Sequence, residues 1–290
     1  MPASPSSKHP VSGEAEKFRS LRRIRSGRRA GVKPVTAFPA EQARALRGVL
    51  FDLDDTVLDH GRLTLPALAA LYALAESGLL LVGVTGRPAS WGQVLVRQWP
   101  VAGMLTENGS IALIKRQSRV EILDRASPAE RQERRRRLAE LTAELRARFS
   151  ELEPSDDVSG RLADYSFDIA ESRQVAPEVV RAASELARER GARVVQSSIQ
   201  LHVSYEGDDK ASGVLHFLGA EHGVDATAAR YRFAFIGDSE NDAPGFAAFE
   251  HSFGVANLRG RPSMLPRYRA SRAMGAGFAE IAGVLLAARA

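Results

Sequence analysis

Two short apolar runs in this 290-residue sequence end in carboxylates. Gly48-Val-Leu-Phe51 leads into Asp52-Leu-Asp54, and Tyr231-Arg-Phe-Ala-Phe-Ile236 leads into Gly237-Asp238, with Asp242 close behind. Such runs suit buried parallel strands, and ligands of open parallel sheets bind beyond the carboxyl ends of those strands. Four carboxylates delivered there from distant segments repel one another, and burial raises their pKa values. A divalent cation relieves both costs. With hard oxygen ligands, no Cys in the chain and no His inside the motifs, Mg²⁺ suits the set better than zinc or copper. The plainer alternative is a scatter of helix N-caps and loop acids, roles that Asp often fills. It explains any single Asp more easily than the whole set.

The elements that must position these acids read as an α/β core. Thr64-Leu-Pro66 opens an Ala/Leu-rich helix that runs to Ser77, where Gly78 ends it; Leu79–Thr85 is a second buried strand and Pro88–Trp99 a second helix. Strand, helix, strand, helix is the pattern of a parallel sheet. The middle of the chain differs. Asn108-Gly109 reads as a hairpin turn before antiparallel strands at Ile111–Lys115 and Val120–Leu123. A charged helix at Pro128–Phe149, alternating strands at Tyr165–Ala170 and Val194–Tyr205, and a helix at Pro177–Arg190 complete an α+β insert. The core pattern then resumes, with helices at Ala243–Phe249 and Gly277–Ala288. The expected division is a basic, disordered tail over 1–45, a core over 46–108 and 207–290, and a cap over 109–206.

Composition narrows the classes. Residues 1–47 carry eleven Lys/Arg and three Glu, a net of +8, whereas the remainder is net −3. The basic excess therefore belongs to the leader, and the body gives no support for a specific nucleic-acid partner. Within the leader, residues 17–29 could bind an anionic surface, which leaves a tethered, non-catalytic binding module as an alternative to an enzyme. The absence of Cys excludes disulfide scaffolds, Cys-ligated metals and thiol nucleophiles. No apolar run of secretory-signal length occurs in the first forty residues, and Leu65–Val84, the one stretch resembling a membrane span, is interrupted by Glu76-Ser77-Gly78. The expectation is a soluble, cytoplasmic protein without a membrane span; the oligomeric state is left open.

Four segments in order resemble the motifs of the haloacid dehalogenase superfamily. Asp52-Leu53-Asp54-Asp55-Thr56 is similar to its first motif, Val84-Thr85-Gly86-Arg87 to its second, Lys210 to its third, and Gly237-Asp238-Ser239-Glu240-Asn241-Asp242 to its fourth. An insert between the second and third motifs resembles the type II cap of Cof-like and sugar-phosphate phosphatases, and Glu107-Asn108-Gly109-Ser110 resembles their turn after the third strand. In one respect the chain departs from the pattern: Ala211, not Gly, follows Lys210, and Gly comes only at Gly213. Lys115 is the fallback cation.

The resemblance implies a Rossmann-like parallel-sheet core and Mg²⁺-dependent hydrolysis of a small-molecule phosphate ester. Asp52 would be the nucleophile that takes up the phosphoryl group, and Asp54 the acid and then base. Mg²⁺ would be held by Asp52, Asp238 and the main-chain carbonyl of Asp54. Thr85, Gly86, Lys210 and Asn241 would bind phosphoryl oxygens, with Asp242 orienting the metal-bound water and Lys210. An acid at the position of Asp54 favours an oxygen leaving group over halide. Hydrolysis and phosphosugar mutase chemistry share these aspartates, so the mutase stays an alternative.

Arg161, Tyr165 and Asp168 are the candidates for cap-side substrate contacts, since a sugar hydroxyl needs paired polar groups and a second anion needs Arg. His60 reads as a surface-loop residue. His202, which alternates with Leu201 and Val203 in a strand, has two readings, one facing the cap cleft and one, preferred here, facing solvent. Arg134–Arg137, flanked by Glu130, Glu133, Glu140 and Glu144, reads as an exposed helix laced with ion pairs.

Overall fold

A computed structural model of the chain describes residues 31–197, 199–258 and 262–289; the basic segment 17–29 lies outside these residues. The central feature is a nine-stranded sheet. Its heart is β1 (Gly48–Phe51), β2 (Leu80–Val84) and β3 (Gly103–Thr106) on one side, with β9 (Phe233–Gly237) and β10 (His251–Gly254) on the other. All pair in parallel, with β9 beside β1. The strands are buried because helices cover both faces. Val49 and Phe51 point into a cluster with Leu71, Leu74, Phe278 and Ile281. Leu50 points the other way, among Val214, Phe217, Phe235 and Phe246. This two-sided burial explains why the strands read as continuous apolar runs.

The helices fall close to their expected bounds: α1 (Leu65–Glu76), α2 (Ala89–Gln98), α5 (Lys210–His222), α6 (Ala243–Ala248) and α7 (Met274–Ala287) in the core, with α3 (Pro128–Arg148) and α4 (Pro177–Glu189) in the cap. Gly78, at φ +84°, supplies the left-handed residue after α1. Tyr231 and Arg232 close a helix at Ala226–Arg232 instead of opening β9.

Two boundaries differ from the sequence reading. The hairpin β4 (Ile111–Arg116) and β5 (Arg119–Asp124) pairs with β3 and extends the core sheet; it is not part of the cap. Alternating strands look alike whichever sheet they join, and only the pairing partner tells them apart. Residues 32–45 are also ordered elements of the core. Lys33–Pro34 pairs with Tyr268–Arg269 at the sheet edge, and Phe38 sits edge-on to Phe253 and Tyr268. Val35 and Phe38 are buried anchors in a segment too short to display periodicity.

The cap sheet is antiparallel, in the order β7 (Arg193–Gln196), β8 (Gln200–Ser204), β6 (Asp164–Asp168) and a short strand at Glu153–Pro154. Phe167, Leu201 and Val203 face α3 and α4 in a separate apolar cluster. The opposite face presents Asp164, Ser166, Gln200 and His202, all buried. Arg131 ties the two connections between the sheets together, reaching Asp124 at 2.7 Å and Glu206 at 2.5 Å.

Candidate active site

Because β1, β2 and β9 are parallel neighbours, Asp52, Thr85 and Asp238 emerge at the same sheet end. After Asp52 the backbone doubles back. The carbonyl of Leu53 accepts the amides of Thr56, Val57 and Leu58, while Asp55 adopts φ +57°. Thr56 Oγ1 then reaches Asp238 Oδ1 at 3.4 Å, joining the first motif to the fourth. Lys210 arrives from the opposite direction at the N-terminus of α5, which Asp209 caps through the amides of Ala211 and Ser212. Gly213 lets this helix seat on the turn after β3, since a Cβ there would lie 2.3 Å from the carbonyl oxygen of Gly109.

These segments meet in one cluster. Lys210 Nζ donates to Asp52 Oδ1 at 2.6 Å and to Asp242 Oδ1 at 2.8 Å, and all three side chains are buried. Ligand oxygens of Asp52, Asp238 and Asp242 lie within 4.8 Å of one another. Asp242 Oδ2 is taken up by the amides of Asp238 and Ser239. Asp238 Oδ2, by contrast, is buried with no hydrogen-bond partner among the described residues. Lys115, the fallback cation, is exposed on the β4–β5 hairpin.

The electrostatics follow from burial. Asp238 is pushed up to about 9, first by desolvation and then by Asp242 and Asp52. Asp52 is pushed up to about 7 by burial, although the Lys210 ammonium pulls against the shift. Burial alone would lower the pKa of Lys210, but Asp242 and Asp52 outweigh it and hold the amine charged. A cluster whose acids favour protons this strongly lacks positive charge, and the partnerless oxygen of Asp238 points to where it belongs. Oxygen donors so arranged fit a hard divalent cation.

Asp54 lies at the mouth of this cluster in a bidentate pair with Arg87, whose Nε and Nη2 each reach a carboxylate oxygen at 2.9 Å. The same guanidinium reaches Glu171 of the cap at 3.1 Å and stacks over Trp91. Arg87 stands in the second motif, but both of its partners are distant in sequence and leave no local sign of its role. Thr85 Oγ1 accepts the Arg87 amide at 3.0 Å and fixes the turn. Thr85 and Lys210 stand behind the cavity wall, while Asp52, Asp54, Gly86, Asp238 and Asn241 line it. Asn241 Oδ1 accepts from Ser239 Oγ.

The cap covers the cluster closely, leaving a cavity of about 20 Å³, space for a single water. Two contacts hold it down. Glu107, in the turn after β3, accepts the amides of Leu162, Ala163 and Asp164 from the cap and of Ala89 from the core. Burial, with Asp164 nearby, raises its pKa to about 7 against the opposing pull of those amides. Arg161 Nη1 donates to the Gly86 carbonyl at 2.9 Å.

The cap-side candidates are not free to meet a substrate. Arg161 is fully engaged by Asp157, Asp164, Gln200 and Gly86. Tyr165 lies on the helix-facing side of the sheet against Phe167. Asp168 caps the amides of Glu171 and Ser172. His202, expected to face solvent, is 3% exposed and lines the cavity. Its sheet is covered on both faces, by helices on one and the core on the other, so alternation did not identify a wet side. His60 is exposed, in agreement with its reading as a loop residue.

No protein-family model matches the sequence. A phosphoglycolate phosphatase of Methanothermobacter thermautotrophicus is 28% identical over 237 residues, covering 81% of this chain and 96% of that one. A haloacid dehalogenase-like hydrolase of Bacteroides thetaiotaomicron shares the fold at TM-score 0.58 and 18% identity, over 82% of this chain and 98% of that one. The Synechocystis sucrose-phosphatase, solved with sucrose and phosphate, does so at TM-score 0.60 and 18% identity, over 83% and 98%. Among the described residues no helix is long and apolar enough to cross a membrane. The sheet order, the motifs converging at one strand end and this likeness agree: the chain has the fold of haloacid dehalogenase-like hydrolases and is similar along most of its length to a phosphatase.

Proposed function

We propose that the protein is an Mg²⁺-dependent phosphomonoesterase acting on a small phosphorylated metabolite, a sugar phosphate foremost, through a phosphorylated Asp52. The observation that carries this reading is the buried cluster of Asp52, Asp238, Asp242 and Lys210, one oxygen of which has no partner. Asp52 and Asp238, with the Asp54 carbonyl, would hold Mg²⁺, which supplies Lewis-acid charge stabilisation where anion approaches anion.

The chain's own groups do the rest. A carboxylate oxygen of Asp52 forms the bond to phosphorus as the ester oxygen departs, taking a proton from Asp54. Water then attacks phosphorus, its proton passes to Asp54, the bond to Asp52 breaks and inorganic phosphate leaves. Lys210 neutralises the equatorial oxygens, and Asp242 holds Lys210 in place. Arg87 orients the Asp54 carboxyl through its bidentate pair and is itself held toward the cap by Glu171. The closed cap excludes bulk water and limits the substrate to a small molecule. The relative named for phosphoglycolate supports a second substrate reading, a phosphorylated hydroxy acid.

The test is phosphate release from p-nitrophenyl phosphate and a panel of phosphorylated metabolites, with Mg²⁺ and with EDTA. Turnover should require the metal, and Asp52→Asn should abolish it with the circular dichroism spectrum unchanged. Appreciable turnover by that variant would overturn the assignment.

A further inference from the structure

The cap contributes the polar side chains of Ser197, Gln200 and His202 to the cavity wall. Two of them are spent within the protein. Gln200 donates to Glu171 at 2.9 Å and accepts from Arg161 at 3.0 Å. Ser197 Oγ donates to the Gln200 carbonyl and accepts the amides of Ile199 and Gln200.

His202 is different. Its Nδ1 lies 3.1 Å from Asp164 Oδ2 and 3.4 Å from Arg161 Nη1, whose two protons already go to the Gly86 carbonyl and Asp164 Oδ1 at 2.9 Å. Burial works to raise the pKa of Asp164, but Arg161 and His202 overcome it and hold the carboxyl below the usual range. An ionised carboxylate only accepts, so Nδ1 carries the proton. Burial lowers the pKa of the ring and keeps it neutral. That leaves Nε2 as a hydrogen-bond acceptor with no partner among the described residues. It stands directly over the second-motif loop, where a Cβ on Gly86 would come within 3.2 Å of it.

The cations around the cavity are committed. Arg87 is held by Asp54 and Glu171, Arg161 by Asp157 and Asp164, and Lys210 by Asp52 and Asp242. A carboxylate on the substrate would meet acids and a lone pair, whereas a hydroxyl would find an acceptor already aimed.

We infer that His202 Nε2, held in place by Asp164, accepts a hydrogen bond from a hydroxyl on the alcohol half of the substrate and so selects hydroxylated phosphomonoesters over carboxylated ones. This rests on the phosphatase reading and narrows it. His202 is then a substrate-binding residue and Asp164 a positioning one. An unmatched buried acceptor penalises the analogue that lacks the hydroxyl, which is how polar sites discriminate.

The experiment compares kcat/KM, with Mg²⁺, for glycerol 3-phosphate, glucose 6-phosphate, propyl phosphate and 2-phosphoglycolate. In the wild type at least one hydroxylated ester should exceed both propyl phosphate and phosphoglycolate by about tenfold or more, equivalent to about 1.4 kcal/mol. His202→Ala should bring the ratio to propyl phosphate close to one, chiefly through a higher KM for the hydroxylated esters. Asp164→Asn should also shrink the preference, since an amide can donate to Nδ1 and turn Nε2 into a donor. The wild-type ratios need no variant and stand even if His202→Ala fails to fold. A wild-type preference for phosphoglycolate, or none for either hydroxylated ester over propyl phosphate, overturns the inference. So does an equal loss on all four esters in a folded His202→Ala, which would put the ring on the phosphoryl group. If the wild type hydrolyses none of the four and no aryl phosphate, the phosphatase reading fails, and this inference with it.

Discussion

Lys210→Met offers a direct measurement of the charge balance at the centre of the site. The substitution keeps most of the buried stem and removes the ammonium that donates to Asp52 at 2.6 Å and to Asp242 at 2.8 Å. Three buried carboxylates then remain within 4.8 Å of one another with their cation gone. Breaking a buried pair by deleting one partner costs about 3–5 kcal/mol, which for a domain of this size lowers Tm by on the order of 10 °C. The penalty must also depend on pH. With Lys210 present, burial already raises Asp52 from 3.8 to about 7; without it, the cluster's pKa values rise further above those of the unfolded chain. A carboxyl raised in the folded state contributes stability that is complete below its unfolded pKa and is lost as pH rises through the folded one. The gap between variant and wild type should therefore be small near pH 4 and largest at pH 8. Urea unfolding of both proteins in EDTA, at pH 5 and pH 8, measures it. A gap below about 1 kcal/mol at pH 8, or one equal at both pH values, would refute the reasoning, since surface ion pairs behave that way and buried ones do not.

Three further outcomes are expected. Asp54→Asn should slow hydrolysis of alkyl phosphates by about 10²–10⁴-fold but that of p-nitrophenyl phosphate much less; equal losses on both would remove Asp54 from the acid role. Because Asp238 favours its proton up to about pH 9, a cation must displace that proton below this pH. Apparent Mg²⁺ affinity should then rise by up to about tenfold per pH unit between pH 6 and 8, read as the midpoint of Mg²⁺-dependent thermal stabilisation; a flat response would count against Asp238 as a ligand. Glu107→Gln turns an amino group toward cap amides that now donate to a carboxylate, and should cost about 1–3 kcal/mol by urea unfolding; an unchanged midpoint would show that this turn does not hold the cap.

That the acids of the core would converge was legible in the sequence because the information is local. Asp52, Asp54, Asp238 and Asp242 sit directly after apolar strands, and parallel pairing alone brings them to one end. Lys210 was readable from its place at a helix start, and the structure explains the departure around it: the close packing on Gly109 falls at Gly213, one turn into the helix. The cap half was not legible. Arg161 has the chemistry to bind an anion, but Asp157 and Asp164 nearby in sequence, and Gln200 far away, already neutralise and satisfy it. The sides on which Tyr165 and His202 lie cannot be read from the sequence, because a period of two separates the faces of a strand without saying what covers each. Arg87 and Glu107 act through partners 33 to 84 and 18 to 57 residues away respectively, separations that no window of sequence spans.

Glu107 takes hold of the cap by main-chain N–H groups alone, and this sets what the neighbouring positions are free to become. Any residue at 162, 163 or 164 presents the same amide except proline, which has none to offer. The hydrogen bonds across this seam are therefore indifferent to side-chain identity at these three positions. Other contacts constrain the side chains: Ala163 is buried against Ala89, Ile111 and Leu113, and Asp164 pairs with Arg161 and His202, which leaves half-buried Leu162 the freest of the three to vary without loosening the closure.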